Sequence, residues 1–175
     1  MAKVLIISDS HGWSQEVSEI KARHQNEVDA MIHCGDSELE YDSEPLEGFE
    51  KVQGNMDRDF RFPEELDFSV GKLHFFVTHG HLFQIKSTLM PASYRAEELG
   101  ANIICVGHAH VAAVEKVNDQ LFINPGSLRQ PRSSYPGSYA LLTADDQLED
   151  VSVHFYTKEG QEISSLAYQT SLTNF

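Results

Sequence analysis

The chain is poor in positive charge. Its 175 residues hold 13 lysines and arginines against 27 aspartates and glutamates, a formal net charge of −14. A protein that neutralises a run of phosphates does so with Lys and Arg, so stable nucleic-acid binding is not expected. Anionic small molecules stay open, because bound metals or a local cluster of cations reverse the field inside one cleft. Cysteine is equally scarce. Cys34 and Cys105 are the only two, they lack CxxC spacing, and both lie in or just after apolar segments, where most thiols act as small hydrophobes. A secreted disulfide scaffold is therefore not expected, although a bond between these two stays open. No apolar run approaches the length of a membrane span or a signal-peptide core, and Met1 to Lys3 lead straight into a strand-like segment. The expectation is a cytoplasmic protein with no membrane partner, its oligomeric state, homo-oligomer included, left open.

Repeats and low-complexity tracts are missing as well, and a 41% apolar content supports one domain over residues 1–175 with a real core. Val4 to Ile7, Ala30 to Ile32, Phe75 to Val77 and Ile103 to Val106 are short, continuous and rich in branched residues, the pattern of buried strands. Between the first two, Ser14 is the expected N-cap of a helix reaching about Gln25. Asp36 to Gly48, with six acidic residues and Pro45, reads as a solvated loop or a short irregular helix. Phe49 to Gln53 reads as a short strand, Leu66 to Val70 and Leu73 to Thr78 as a hairpin about Gly71-Lys72, and Ser87 to Leu99 as a second helix closed by Gly100. Val111 to Val117, Gln120 to Asn124, Ser138 to Thr143, Leu148 to Tyr156 and Glu162 to Ala167 then read as an antiparallel meander. The expected class is α/β: a parallel-leaning sheet from the first half and a mostly antiparallel sheet from the second, packed face to face with helices outside, in a four-layer α-β-β-α sandwich.

Four runs carry the chemistry: Asp9-Ser10-His11, Gly35-Asp36, Gly54-Asn55, and His79 with Gly107-His108-Ala109-His110. Each ends or follows an apolar segment, and ligands in open α/β sheets gather beyond the carboxyl ends of strands. Carboxylates, imidazoles and an amide carbonyl suit Mn, Fe, Co, Ni or Zn. Taken singly the runs are weak. Asp36 and Asn55 beside glycines also read as turn residues, whereas two imidazoles two apart beyond an apolar strand are hard to place in a core. His24, His33, His74 and His154 lack companions and read as structural or surface groups.

In this order the runs resemble the calcineurin-like metallophosphoesterase superfamily, and within it the small YfcE-like phosphodiesterases, which share the later Ile123-Asn124-Pro125-Gly126-Ser127 run followed by Pro131-Arg132. The resemblance implies that fold and two divalent ions, with Mn favoured over Ni, Fe, Co or Zn. It implies Asp9, His11 and His110 on the first ion, Asn55, His79 and His108 on the second, and Asp36 bridging both. It further implies hydrolysis of a small phosphate ester, a diester before a monoester or nucleotide polyphosphate, by attack of a metal-bridging hydroxide. A non-catalytic metal-binding scaffold of the same fold is the rival. Asp36, Asn55 and His81 are the expected catalytic residues. His81 enters because Met56 stands where many members carry a histidine, and a thioether cannot pass a proton. Arg129 and Arg132 are candidate contacts to the substrate phosphate, with a surface role as the alternative.

Overall fold

Residues 1–173 are described by a computed structural model. In chain order the elements are β1 (Ala2–Ile7), α1 (Ser14–His24), β2 (Ala30–His33), β3 (Phe49–Lys51), β4 (Glu65–Val70), β5 (Leu73–Thr78), α2 (Met90–Leu99), β6 (Ile103–Cys105), β7 (Ala113–Val117), β8 (Gln120–Asn124), β9 (Ser138–Ala144), β10 (Val151–Thr157) and β11 (Tyr168–Thr170). They form two mixed sheets, ordered β11-β10-β9-β1-β2-β3 and β4-β5-β6-β8-β7. The strand alternation shows how they stack. In β1, Val4 and Ile6 face the layer between the sheets, while Leu5 and Ile7 face α1. In the second sheet, Phe75, Val77, Ile103 and Cys105 enter the same middle layer, and Phe76 and Ile104 pack with Ala92 and Ala96 of α2. Each strand buried on both faces reads as a continuous apolar run for this reason. Burying each such side chain contributes about 1.5–3 kcal/mol, so the three apolar layers hold the four-layer sandwich together.

The sheets are not divided between the halves of the chain as expected. β8 pairs parallel with β6, and β9 crosses to the other sheet to pair antiparallel with β1. Both sheets therefore mix both halves, because β8 and β9 are each buried on two faces and each needs its own layer to cover it. Local expectations also shift. Ser14 opens α1 instead of capping it; Trp13 is the N-cap and no side chain caps the helix. The second helix begins at Met90, not Ser87, since a turn with Gln84 left-handed occupies the preceding residues. Glu162 to Ala167 is not a strand: a single bridge from Tyr156 to Glu162 and a 3-10 turn at Ser164–Leu166 precede β11. Cys34 and Cys105 are free and buried in the middle layer. No helix among the described residues is long and apolar enough to cross a membrane.

Candidate metal centre

The parallel strands β1, β2, β5 and β6 end at one edge of the sandwich, and the loops beyond them are tied by backbone hydrogen bonds. Asp9 N donates to Gly35 O, His11 N to Asp36 O and Gly107 N to His79 O, each over 3.0 Å. Asn124 and Ser127 join the sheets there, with Asn124 Nδ2 donating to Gly107 O and Ser127 Oγ to Asp9 O. The Ile123 to Ser127 run thus serves as a clamp. Three of these loops share an unusual backbone. Asp9 and His11, Asp36 and Glu38, and His108 and His110 are all left-handed, with φ between 42° and 69°, in pairs two residues apart. All but Glu38 are Asp or His, types enriched in that region, and such residues cost of order 1–3 kcal/mol each unless their surroundings hold them. A Cβ at Gly54 would overlap Asp36 Oδ1, and one at Gly107 would overlap Ser8 Oγ. Glycine at those two positions lets the loops close on the carboxylates.

One ligand-type atom from each of Asp9, His11, Asp36 and His110 lies within 4.8 Å of the others, and all four residues are buried. The outward ring nitrogens are engaged: His11 Nδ1 meets Glu38 Oε1 at 2.7 Å, His79 Nδ1 meets Cys34 O at 2.8 Å, and His110 Nδ1 meets Gln130 O at 2.8 Å. Donation from Nδ1 to these acceptors assigns the protons outward and points each Nε2 lone pair inward. Asp9 Oδ1 is buried without a hydrogen bond, yet the Nε2 atoms of His110, His11 and His79 stand 3.0, 3.7 and 3.9 Å from it. His79 Nε2 also faces Asp36 Oδ2 at 3.1 Å and Asn55 Oδ1 at 3.0 Å. Acceptors converging on acceptors leave a place for a cation. A metal fits that donor set.

Charge tells the same story. Burial opposes ionisation of Asp9, but the imidazoles of His11 and His110 outweigh it and hold its carboxyl far below the usual range. Asp36 is lowered too, with His79 overcoming the burial penalty. Asp9 in turn raises His11 to about 9, against burial and with help from Glu38, and Asp36 raises the deeply buried His79. Two ionised carboxylates thus draw positive charge onto the rings, a demand that a divalent ion meets more fully than a proton.

Every expected ligand reaches this edge, though not equally. His108 is half-buried, with its ring 5.1 Å from that of His79, and burial and the charge of His79 lower it to about 4. Asn55 is exposed. His81 lies 5.4 Å from His79 and 6.1 Å from His108, ring centre to ring centre, with Nδ1 buried and unpartnered. Arg129 is committed elsewhere, donating to His11 O and lying over Trp13. The four histidines read as structural or surface groups sit apart from the cluster. His33 lies nearest, donating from Nε2 to Ser10 Oγ while its Nδ1 accepts from Gly35 N. One site residue escapes sequence reasoning, and a second is legible only in outline. Glu38 lies in the stretch read as solvated loop, with no pattern to separate it from its acidic neighbours, yet it orients His11. Asp57 accepts from the backbone N–H groups of Asp36, Glu38 and Gly54, binding the two acidic loops together. From its place beside Met56 the sequence reads Asp57 as a residue that orients a ligand, and its three bonds act on the loops that carry Asp36, Glu38 and Asn55.

Comparison with known proteins agrees with this geometry. Residues 2–147 match the model of the calcineurin-like phosphoesterase superfamily domain. The probable metallophosphoesterase YsnB of Bacillus subtilis is 49% identical over 169 residues, covering 97% of this chain and 99% of that protein. Phosphodiesterase YfcE of Escherichia coli is 32% identical over 74 residues, 42% of this chain and 36% of the relative. The crystal structure of a conserved uncharacterized protein, a predicted phosphoesterase from Streptococcus pneumoniae, superposes with a TM-score of 0.92 at 38% identity, covering 98% of this chain and 99% of the other.

Proposed function

Since the chain belongs to the calcineurin-like phosphoesterase superfamily, we propose that it hydrolyses phosphodiesters with two divalent metal ions, Mn the preferred pair. The observation that carries this reading is Asp36. One of its oxygens faces His79 Nε2 at 3.1 Å, and the same residue belongs to the cluster of Asp9, His11 and His110. A carboxylate so placed can bridge a first ion on Asp9, His11 and His110 and a second on Asn55, His79 and His108. Bound there, such ions would supply a water activated at neutral pH and would neutralise charge developing on the phosphoryl oxygens.

The chain's own part is positioning and proton handling. Asp36 Oδ1 is held by the Met56 N–H at 2.8 Å, leaving Oδ2 for the interior. Asn55 presents Oδ1 beside His79, at the exposed lip where a substrate phosphoryl enters. Burial lowers the His81 imidazole, so as a neutral ring it offers one N–H and one acceptor to a leaving oxygen. Met56, 52% exposed, offers neither. This pairing favours esters with good leaving groups, and the phosphodiesterase relative supports diesters over monoesters.

The test is a chelator-stripped protein, reconstituted with Mn, Ni, Co, Fe or Zn and given bis(p-nitrophenyl) phosphate, p-nitrophenyl phosphate and nucleotides. Faster hydrolysis of the diester, restored best by Mn at two ions per chain, is expected. A preference for monoesters or nucleotides would move the substrate class, one ion at full activity would remove the bridge, and no turnover with any metal would leave a scaffold.

A further inference from the structure

The few cations of this acidic chain are almost all engaged. Arg61 joins Asp42 and Asp59, Arg95 joins Glu65 and Glu98, and Lys158 lies over Trp13. Seven others meet a carboxylate, a carbonyl, an amide or a hydroxyl. Among the described residues, three lysine and arginine side chains have neither a polar partner nor a ring beneath them: Arg58, Lys86 and Arg132, all exposed.

These three come from separate loops, and each loop leads to the metal centre. Arg58 follows Asp57, the carboxylate that binds the two acidic loops together, and lines a groove of about 750 Å³ with Met56, Leu39 and Glu38. Glu38 is the residue that contacts His11, so the groove opens beside the centre. Three of its four carboxylates are engaged, Glu38 by His11 and Asp42 and Asp59 by Arg61. Lys86 sits on the turn after His81, where Ile85 N donates to Gly80 O and the Ile85 side chain packs against Gly80, the residue after His79. Arg132 donates its backbone N–H to His110 O at 2.9 Å.

We propose that Arg58, Lys86 and Arg132 form a cationic rim that selects phosphodiesters carrying a second anionic group, a terminal phosphate monoester by its charge, an inference that rests on the phosphodiesterase reading above. Scattered exposed cations are ordinary in proteins. The distribution is not: ten have an ion-pair, hydrogen-bond or ring partner, and the three without one among the described residues all lie on loops that lead to the site. A net charge of −14 repels a polyanionic substrate, and screening limits that field to about 8 Å at physiological salt. Beyond the reach of the bound ions, attraction for a second anionic group therefore comes from charges at the mouth of the site. An unpaired guanidinium or ammonium there binds phosphate without first giving up a protein partner.

The matched probes are the p-nitrophenyl ester of thymidine 5′-phosphate and the same ester bearing a 3′-phosphate, assayed by nitrophenolate release from the Mn-loaded protein. The protein should prefer the 3′-phosphorylated probe in kcat/KM by about tenfold at low salt, as three partly exposed ion pairs imply, and lose that preference as salt rises. Arg58→Gln/Lys86→Gln/Arg132→Gln should bring the ratio close to one through KM, while the engaged and distant Lys72→Gln/Lys116→Gln should keep it. Calorimetry with thymidine 3′,5′-bisphosphate and thymidine 5′-phosphate reads the same selectivity without turnover. An equal ratio in the wild-type protein, or an unchanged ratio in the triple variant, overturns the rim. Failure of the wild-type protein to cleave either probe overturns the phosphodiesterase reading itself.

Discussion

Asp9, His11, Asp36 and His110 place their ligand-type atoms within 4.8 Å of one another and are at most 7% exposed, whereas across Asp36 only His79 is fully buried, His108 is half-buried and Asn55 is exposed. The first half is built from loops clamped to one another, with Glu38 and the Gln130 carbonyl holding its rings. The second borrows one residue from the deep end of β5 and two from the open lip. The four clustered residues are thus buried and held in place by the chain's own contacts. On the proposed two-ion reading the remaining ligands lie toward the surface, and the ion they would hold should be the more weakly bound and the more exchangeable.

The largest effect should come from the residue the halves share. Asp36→Ala should remove both ions and lower hydrolysis by at least about a thousandfold, the scale of deleting a central charge-stabilising group, while Asp29→Ala, outside the cluster, should change little. Elemental analysis showing full occupancy with normal turnover in Asp36→Ala would abolish the distinction between halves.

Next is His33, which is tied to the Ser10 and Gly35 loops that carry the first half. Its Nδ1 accepts from Gly35 N, and burial lowers it from 6.5 to about 4. Between those values the unfolded chain binds a proton that the folded chain refuses. Stability contributed by neutral His33 is therefore complete above about pH 6.5 and lost as pH falls toward 4, by about 3 kcal/mol. Urea unfolding of the metal-free protein at pH 7 and pH 4.5 should show most of that loss, and His33→Asn should show correspondingly less. An equal acid loss in both proteins would detach His33 from the first half.

Smaller again is the separation of the two ions. Metal titration should resolve two steps, with His110→Ala weakening the tighter and His108→Ala the looser. Glu38→Gln should weaken only the tighter, about tenfold, as expected for a group that orients a ligand. Loss of the same step in His110→Ala and His108→Ala would merge the halves.

The smallest effect lies at the lip. Met56→His should accelerate alkyl esters more than nitrophenyl esters by only about a few fold, well under the roughly hundredfold lower end of general acid catalysis. An unchanged leaving-group slope with metals bound would mean that Met56 does not face the departing oxygen.

The apolar runs of β1, β2, β5 and β6 and the ordered polar runs after them were readable because both follow local rules: a strand buried on two faces is continuously apolar, and ligands collect at its carboxyl end. Glu38 was not, since its role depends on a left-handed turn that sets it against His11, and an acidic loop advertises no such turn. The sheet exchange between β8 and β9 was equally hidden, because an antiparallel pattern does not say which neighbour a strand will choose.

By itself, then, the sequence determined the class, the two-sheet core and the identity of the polar runs, all properties of short stretches and their periodicity. Tertiary structure alone decided that Asp9 Oδ1 would stand without a hydrogen bond among three Nε2 atoms, that one half of the centre would be sealed and the other open, and that the unpaired cations would gather at its mouth. Those are facts of convergence between distant loops, and a chain read one residue at a time carries no measure of the distances between them.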